Sequence, residues 1–138
     1  MATSCSFCPI VAGEVVAHFV LDAPNVVAFL DHRPLFPGHL LLVPRAHHAT
    51  LGDLPPDLVA PLFGAARLLA AAVEGALGAG GTFVAMNNRI SQSVPHLHVH
   101  VIPRRKKDGL KGFFWPRHAY KNDEEIALTL AAIKRALG

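Results

Sequence analysis

Apolar positions fall into short blocks separated by Pro, Gly, Asn and Asp. In "HFVLDAPNVVAFLD" two such blocks, about Ala17 to Leu21 and Val26 to Leu30, flank Asp22 to Asn25, where Pro and Asn favour a turn, so the pattern predicts a hairpin. "PGHLLLVPR" reads as a third strand: the Pro37-Gly38 breaker precedes a continuous apolar run that ends at Pro44. "TFVAMN" and "HLHVHVIP" are the fourth and fifth. The segment from about Pro56 to Gly78 is rich in Leu and Ala and suits a helix ending at Gly, with Pro61 near its first turn. "NDEEIALTLAAIKRAL" predicts a terminal helix, acidic at its start and basic in its last turn, as the helix dipole favours.

Five strands with a central and a C-terminal helix, joined by short connections, indicate an α+β domain spanning residues 1–138. Leu58 to Leu77 is apolar enough to resemble a membrane span, but Arg67 and Glu74, seven residues apart, put charge on one helical face, so a core helix is expected and no membrane partner. "GAGG" at Gly78 to Gly81 follows a helix and reads as a helix stop, not a phosphate loop.

Composition narrows the class. With 51% hydrophobic and 17% charged residues among 138, the chain is neither disordered nor large enough for two sizeable cores. A net charge of +3 does not argue for nucleic acid as a partner. The start "MATSCSFCPIVAGEVV" lacks a secretory pattern, so the cytoplasm is the expected location. Two cysteines in a reducing compartment read as ligands or redox groups before a structural disulfide.

The unusual chemistry lies in "VPHLHVHVIPRR", where His96, His98 and His100 alternate with apolar residues. On a strand the three would share a face, neighbours about 6.8 Å apart, while Leu97, Val99 and Val101 turn into the core. Two neighbours could meet at one metal, whose bonds to nitrogen are about 2.0–2.1 Å, but a straight strand could hardly bring all three there. A tri-histidine metal centre that activates water, or three solvent-facing histidines without a role, are the rival readings. A neutral imidazole, aimed by a hydrogen bond at its other nitrogen, is also a nucleophile, and phosphoryl centres are its natural targets.

"HLHVHVI" has the form His-x-His-x-His-x-x with apolar x, and with "FCPIVAGE", "VVAFLDHRPLFPGHLLLVPRAHH" and "QSVPHLHVHVIPR" in the same order it resembles the histidine-triad (HIT) superfamily of nucleotide hydrolases and transferases. The resemblance implies a five-stranded antiparallel sheet with two helices, paired as a homodimer. It makes His98 a nucleophile that attacks an α-phosphorus to give a nucleotidyl-histidine, His100 a contact to the phosphate oxygens, and His39 a more distant support. Ser93 would donate to a bridging or leaving oxygen, with Gln92 beside it. Asp31 would hold ribose hydroxyls, and Phe7, Ile10, Leu30 and Phe29 would surround the nucleoside of a nucleotide substrate expected to contain adenosine. Asn87 is the candidate amide for phosphate or ribose.

"CSFC" has the C-x-x-C spacing of a zinc half-site or a redox pair; no strand precedes it, as a thioredoxin-like setting would need, so zinc is the preferred reading and two further ligands are required. A subset of bacterial histidine-triad proteins has such a motif, and the resemblance implies a structural zinc on Cys5, Cys8, His47 and His96, with His48 an alternative to His47. No organic cofactor is expected.

Two features fall outside the resemblance. "NNRISQSVPH" lacks the glycines often found before Gln-Ser, with Ser91 in one such place. "PRRKKDGLKGFFWPRHAYK" interleaves Arg104, Arg105, Lys106, Lys107, Lys111 and Arg117 with Phe113, Phe114 and Trp115, a composition that suits either phosphate and base contacts or a solvated loop. The expected activity is hydrolysis of a nucleoside phosphoramidate or dinucleoside polyphosphate. A nucleotidyltransferase using the same covalent step, or a non-catalytic zinc-stabilised nucleotide-binding module, are the alternatives.

Overall fold

The computed structural model describes residues 5–111 and 117–138. The chain divides into two compact units, Met1–Asp108 and Gly109–Gly138. The first unit opens with a short helix α1 (Phe7–Val11), which the apolar pattern did not announce. Strands β1 (Phe19–Asp22), β2 (Val26–Leu30) and β3 (Leu40–Pro44) follow, then helix α2 (Val59–Leu77) and strands β4 (Gly81–Ala85) and β5 (Val99–Arg104). They form the one five-stranded antiparallel sheet that the resemblance implied, in the order β1-β2-β3-β5-β4.

The sheet is covered on both faces. Alternate residues Val26, Ala28, Leu40, Leu42, Val99 and Val101 pack with Leu62, Ala65, Ala66, Leu69 and Val73 of α2. The other face, Val27, Phe29, Leu41 and Val43, packs with Cys5 and Phe7 of the N-terminal segment. Two-sided burial explains why β2 and β3 read as continuous apolar runs without alternation. Leu62 is fully buried, and its truncation to Ala would cost about 2–5 kcal/mol. By length and composition Pro56–Leu77 could cross a membrane, but its buried stripe makes α2 the core helix of this unit.

Boundaries differ from expectation where local chemistry intervenes. A 3-10 turn (Pro56–Leu58) precedes α2, which puts Pro61 in its first turn, and Gly78 ends the helix in the left-handed region at φ 63°. Strand β5 begins at Val99, three residues later than expected, because His96, Leu97 and His98 bond outside the ladder. In the second unit, α3 (Asp123–Leu137) is capped by the Asn122 side chain, which accepts from the Glu125 N–H at 2.9 Å.

Candidate functional site

Strand alternation sorts the histidine segment. Leu97, Val99 and Val101 join the α2-side core, while His98 and His100 face the side that α1 covers. That face is covered, against the rival reading of solvent-facing histidines: His96 is 0% and His98 2% exposed, and Phe7 of α1 lies edge-on to both rings at centroid distances of 6.1 and 5.1 Å. Before the strand, the Leu97 N–H donates to the His48 carbonyl at 2.7 Å, and His98 Nδ1 lies 2.8 Å from the His96 carbonyl oxygen. A carbonyl only accepts, so His98 carries a proton on Nδ1, and in the neutral ring the lone pair is on Nε2.

A second chain of hydrogen bonds fixes His100. The Leu35 N–H donates to His39 Nδ1 at 3.1 Å, which places the His39 proton on Nε2, and Nε2 donates to His100 Nδ1 at 2.9 Å. Neutral His100 therefore carries its own proton on Nε2, with the ring 5.0 Å from that of His98. Gly38, next to His39, has φ +100°, a conformation that favours glycine, and a Cβ there would run into Leu77 Cδ1. Burial, then the neighbouring His98 and His39, push the His100 pKa from the ordinary 6.5 down to about 4. Burial likewise lowers His39, opposed by Asp31, whose Oδ2 is 3.7 Å from His39 Nε2. Asp31, His39 and His100 are close enough to suggest a metal site. The tautomer argues against one, since Leu35 uses the Nδ1 lone pair and His39 Nε2 is a donor.

Across the segment lies a different cluster. Cys5 Sγ is 3.5 Å from His96 Nδ1, Cys8 Sγ is 3.7 Å from the same nitrogen and 3.3 Å from His47 Nδ1. His96 Nε2 donates to the Pro44 carbonyl at 2.8 Å, which leaves Nδ1 free as a ligand. Four donors bound to one tetrahedral zinc, at about 2.3 Å for sulfur and 2.0–2.1 Å for nitrogen, stand about 3.6 Å apart in each sulfur–nitrogen pair. The observed spacings fit that figure, so the cluster can hold a metal. Burial and then Cys5 raise the Cys8 thiol pKa, and burial lowers His96. Of the two adjacent histidines, His47 is the one whose ring stands within this cluster.

A cleft of about 830 Å³ opens beside His98 and His100 and is lined also by Asp31, Ser93, Phe7, Ile10, Phe29 and Leu30. These are the residues the sequence nominated. His18, His32 and Arg33 line it too and were not singled out; the pair beside Asp31 in "LDHRP" was the available signal. His39 stands behind His100. Gln92 and Asn87 do not line the cleft: the Gln92 amide donates to the Ala49 carbonyl at 2.6 Å and accepts from the Arg89 N–H at 2.8 Å, and Asn87 Nδ2 donates to the Ser91 carbonyl at 3.2 Å.

The basic stretch has structural partners at its start. Arg104 grips Asp108 through two hydrogen bonds of 2.7 and 3.1 Å, and Arg105 donates to the Leu77 carbonyl at the end of α2 at 2.6 Å. Phe113, Phe114 and Trp115 lie outside the described residues.

Comparison with known proteins agrees with this geometry. The HIT domain family matches residues 12–107. The chain is 31% identical over 144 residues to adenylylsulfatase HINT3 of Arabidopsis thaliana, covering 99% of this chain and 71% of that one. It is 29% identical over 127 residues to adenosine 5'-monophosphoramidase HNT1 of Candida albicans, covering 88% and 84%. Among solved structures, a HIT family protein from Bacillus anthracis superposes with a TM-score of 0.88 at 28% identity, covering 99% of both chains. A Zn-bound histidine triad family protein from Mycobacterium smegmatis gives a TM-score of 0.73 at 33% identity, covering 96% and 97%. With its triad strand, its cleft and its sheet order accounted for, this chain belongs to the HIT family.

Proposed function

We propose that this enzyme cleaves a nucleoside phosphate derivative at its α-phosphorus through a nucleotidyl-His98 intermediate. The observation that carries the reading is the 2.8 Å hydrogen bond from His98 Nδ1 to the His96 carbonyl, which directs a bare Nε2 at the cleft. Nε2 attacks phosphorus, an N–P bond forms, and the bond to the leaving group breaks with its electron pair. Ser93 donates a hydrogen bond to the departing atom, and the His100 Nε2–H holds a phosphoryl oxygen as charge develops there. Water then attacks the same phosphorus and gives up a proton to solvent, the N–P bond breaks with its electron pair returning to Nε2, and neutral His98 and the nucleoside monophosphate are released.

Asp31, with Oδ1 fixed by the Arg33 N–H at 2.9 Å, is suited to accept from ribose hydroxyls, and Phe7, Ile10 and Leu30 to enclose the base. Relatives carrying names for a sulfate and an amide leaving group support a shared α-phosphorus step with adenosine as the nucleoside. A test is turnover of adenosine phosphoramidate, adenylyl sulfate and a diadenosine polyphosphate. His98→Ala should lose all three while still binding AMP, and retained turnover would exclude this role.

We further infer that Cys5, Cys8, His47 and His96 hold a zinc ion, supported by the donor spacing and the Zn-bound relative. With four protein ligands the ion would have no open position, and what it supplies is a clip between the N-terminal segment and the triad strand. The chain is also read as a homodimer, for which the edge strand β4, with Val84 42% exposed, offers unpaired backbone.

A further inference from the structure

The loop that carries Ser93 is held under backbone strain and tied at two points to another loop. Arg89 and Ser91 have φ of 73° and 61°, left-handed conformations that cost a side-chain-bearing residue about 1–2 kcal/mol. Such conformations persist only where surrounding contacts over-determine them. Here the contacts reach residues 49–51: Gln92 Nε2 donates to the Ala49 carbonyl at 2.6 Å, and the Leu51 N–H donates to Asn88 Oδ1 at 2.7 Å. Gln92 Oε1 also accepts from the Arg89 N–H, closing the strained turn on itself. The receiving loop has its own brace: Thr50 is buried and donates to the Asp53 carboxylate through its hydroxyl at 2.7 Å and its N–H at 3.1 Å.

We propose that Gln92 is a positioning residue that holds the exposed Ser93 at the cleft by pinning loop 87–93 to residues 49–51, with Asn88 as its partner, and that it does not bind nucleotide itself. Both ends of the Gln92 amide are committed, and the residue does not line the cleft, whereas Ser93 next to it does. Ala49, which receives the Gln92 tie, lies two residues after His47, whose ring belongs to the cysteine–histidine cluster. The role rests on the catalytic reading of Ser93 above.

The test uses adenosine 5'-phosphate esters and amidates with leaving groups of graded basicity. Gln92→Ala should reproduce the behaviour of Ser93→Ala: kcat falls by about tenfold or more on basic leaving groups and far less on weakly basic ones. AMP affinity should stay within about twofold, since a group outside the cleft contributes little binding free energy. The double variant should be no slower than Ser93→Ala, because the two changes remove one function. Asn88→Ala, which cuts the other tie, should shift the same leaving-group dependence in the same direction. A loss of AMP affinity with an unchanged leaving-group dependence, or multiplicative effects in the double variant, would show that Gln92 touches the nucleotide and overturn the proposal. Amide hydrogen exchange in the nucleotide-free protein reads the tie apart from chemistry: residues 87–93 should exchange faster in Gln92→Ala, and unchanged exchange would also overturn it. If the wild type turned over none of the series, the catalytic reading would fail while the exchange result still decided whether the tie exists.

Discussion

His39 Nε2 stands 2.9 Å from His100 Nδ1, and the Leu35 amide at His39 Nδ1 sets the direction of that hydrogen bond. A backbone N–H thus fixes, through two imidazoles, which nitrogen of His100 carries a proton. His39 touches no substrate in this scheme; it acts by presenting His100 as a donor.

Removing the relay should therefore damage chemistry more than binding. His39→Ala leaves His100 free to place its proton on either nitrogen, and kcat should fall by about 10²-fold, the scale of losing one donor to a developing negative charge. AMP affinity should change little. Steady-state kinetics with AMP as product inhibitor separates the two.

The same burial gives a pH signature. His100 has a folded pKa of about 4 against 6.5 when unfolded, so between these values the unfolded chain binds more protons and folding weakens as pH falls. This contribution is intact above pH 6.5, declines from there to about pH 4 and levels off below. His39 shifts in the same direction. Urea unfolding across this range should show a shallower pH dependence in His100→Asn than in the wild type.

The fold was legible because turn residues bound the continuous apolar runs of β2 and β3, which are buried on both faces, and α2 is a long Leu- and Ala-rich run with a buried stripe that ends at a glycine. Helix α1 was not legible: FCPIV spans 5 residues, contains Pro9, and is positioned by Phe7 packing on Phe29 and His98. The triad could be found from its period of two, but burial of His96 and His98 could not, since it depends on that same covering helix. Gln92 shows a deeper limit: its neighbour Ser93 lines the cleft, and only the turn imposed by Arg89 and Ser91 sends the amide towards Ala49.

Relief of that turn should be measurable. Ser91 sits at φ 61°, where glycine has no side-chain penalty, so Ser91→Gly should raise stability by about 1 kcal/mol. Chemical denaturation with an unchanged slope would record it; a loss of stability would mean that the Ser91 side chain has a contact of its own.

For the metal, elemental analysis after mild purification should find about one zinc per chain, the stoichiometry of a closed four-ligand site. Cys5→Ala should lose it, and stability should drop more than turnover per folded molecule. Metal-free protein of undiminished stability would contradict the clip.

The central claim is that His98 Nε2 becomes covalently bonded to phosphorus. Rapid denaturing quench at alkaline pH, where an N–P bond survives, of the wild type turning over adenosine phosphoramidate, followed by intact mass and peptide mapping at that pH, tests it most directly. The account predicts an adenylyl group on the peptide containing His98, absent in His98→Ala and lost on incubation of the native adduct in water. Turnover with no adduct at any quench time, together with undiminished hydrolysis by His98→Ala, would contradict it.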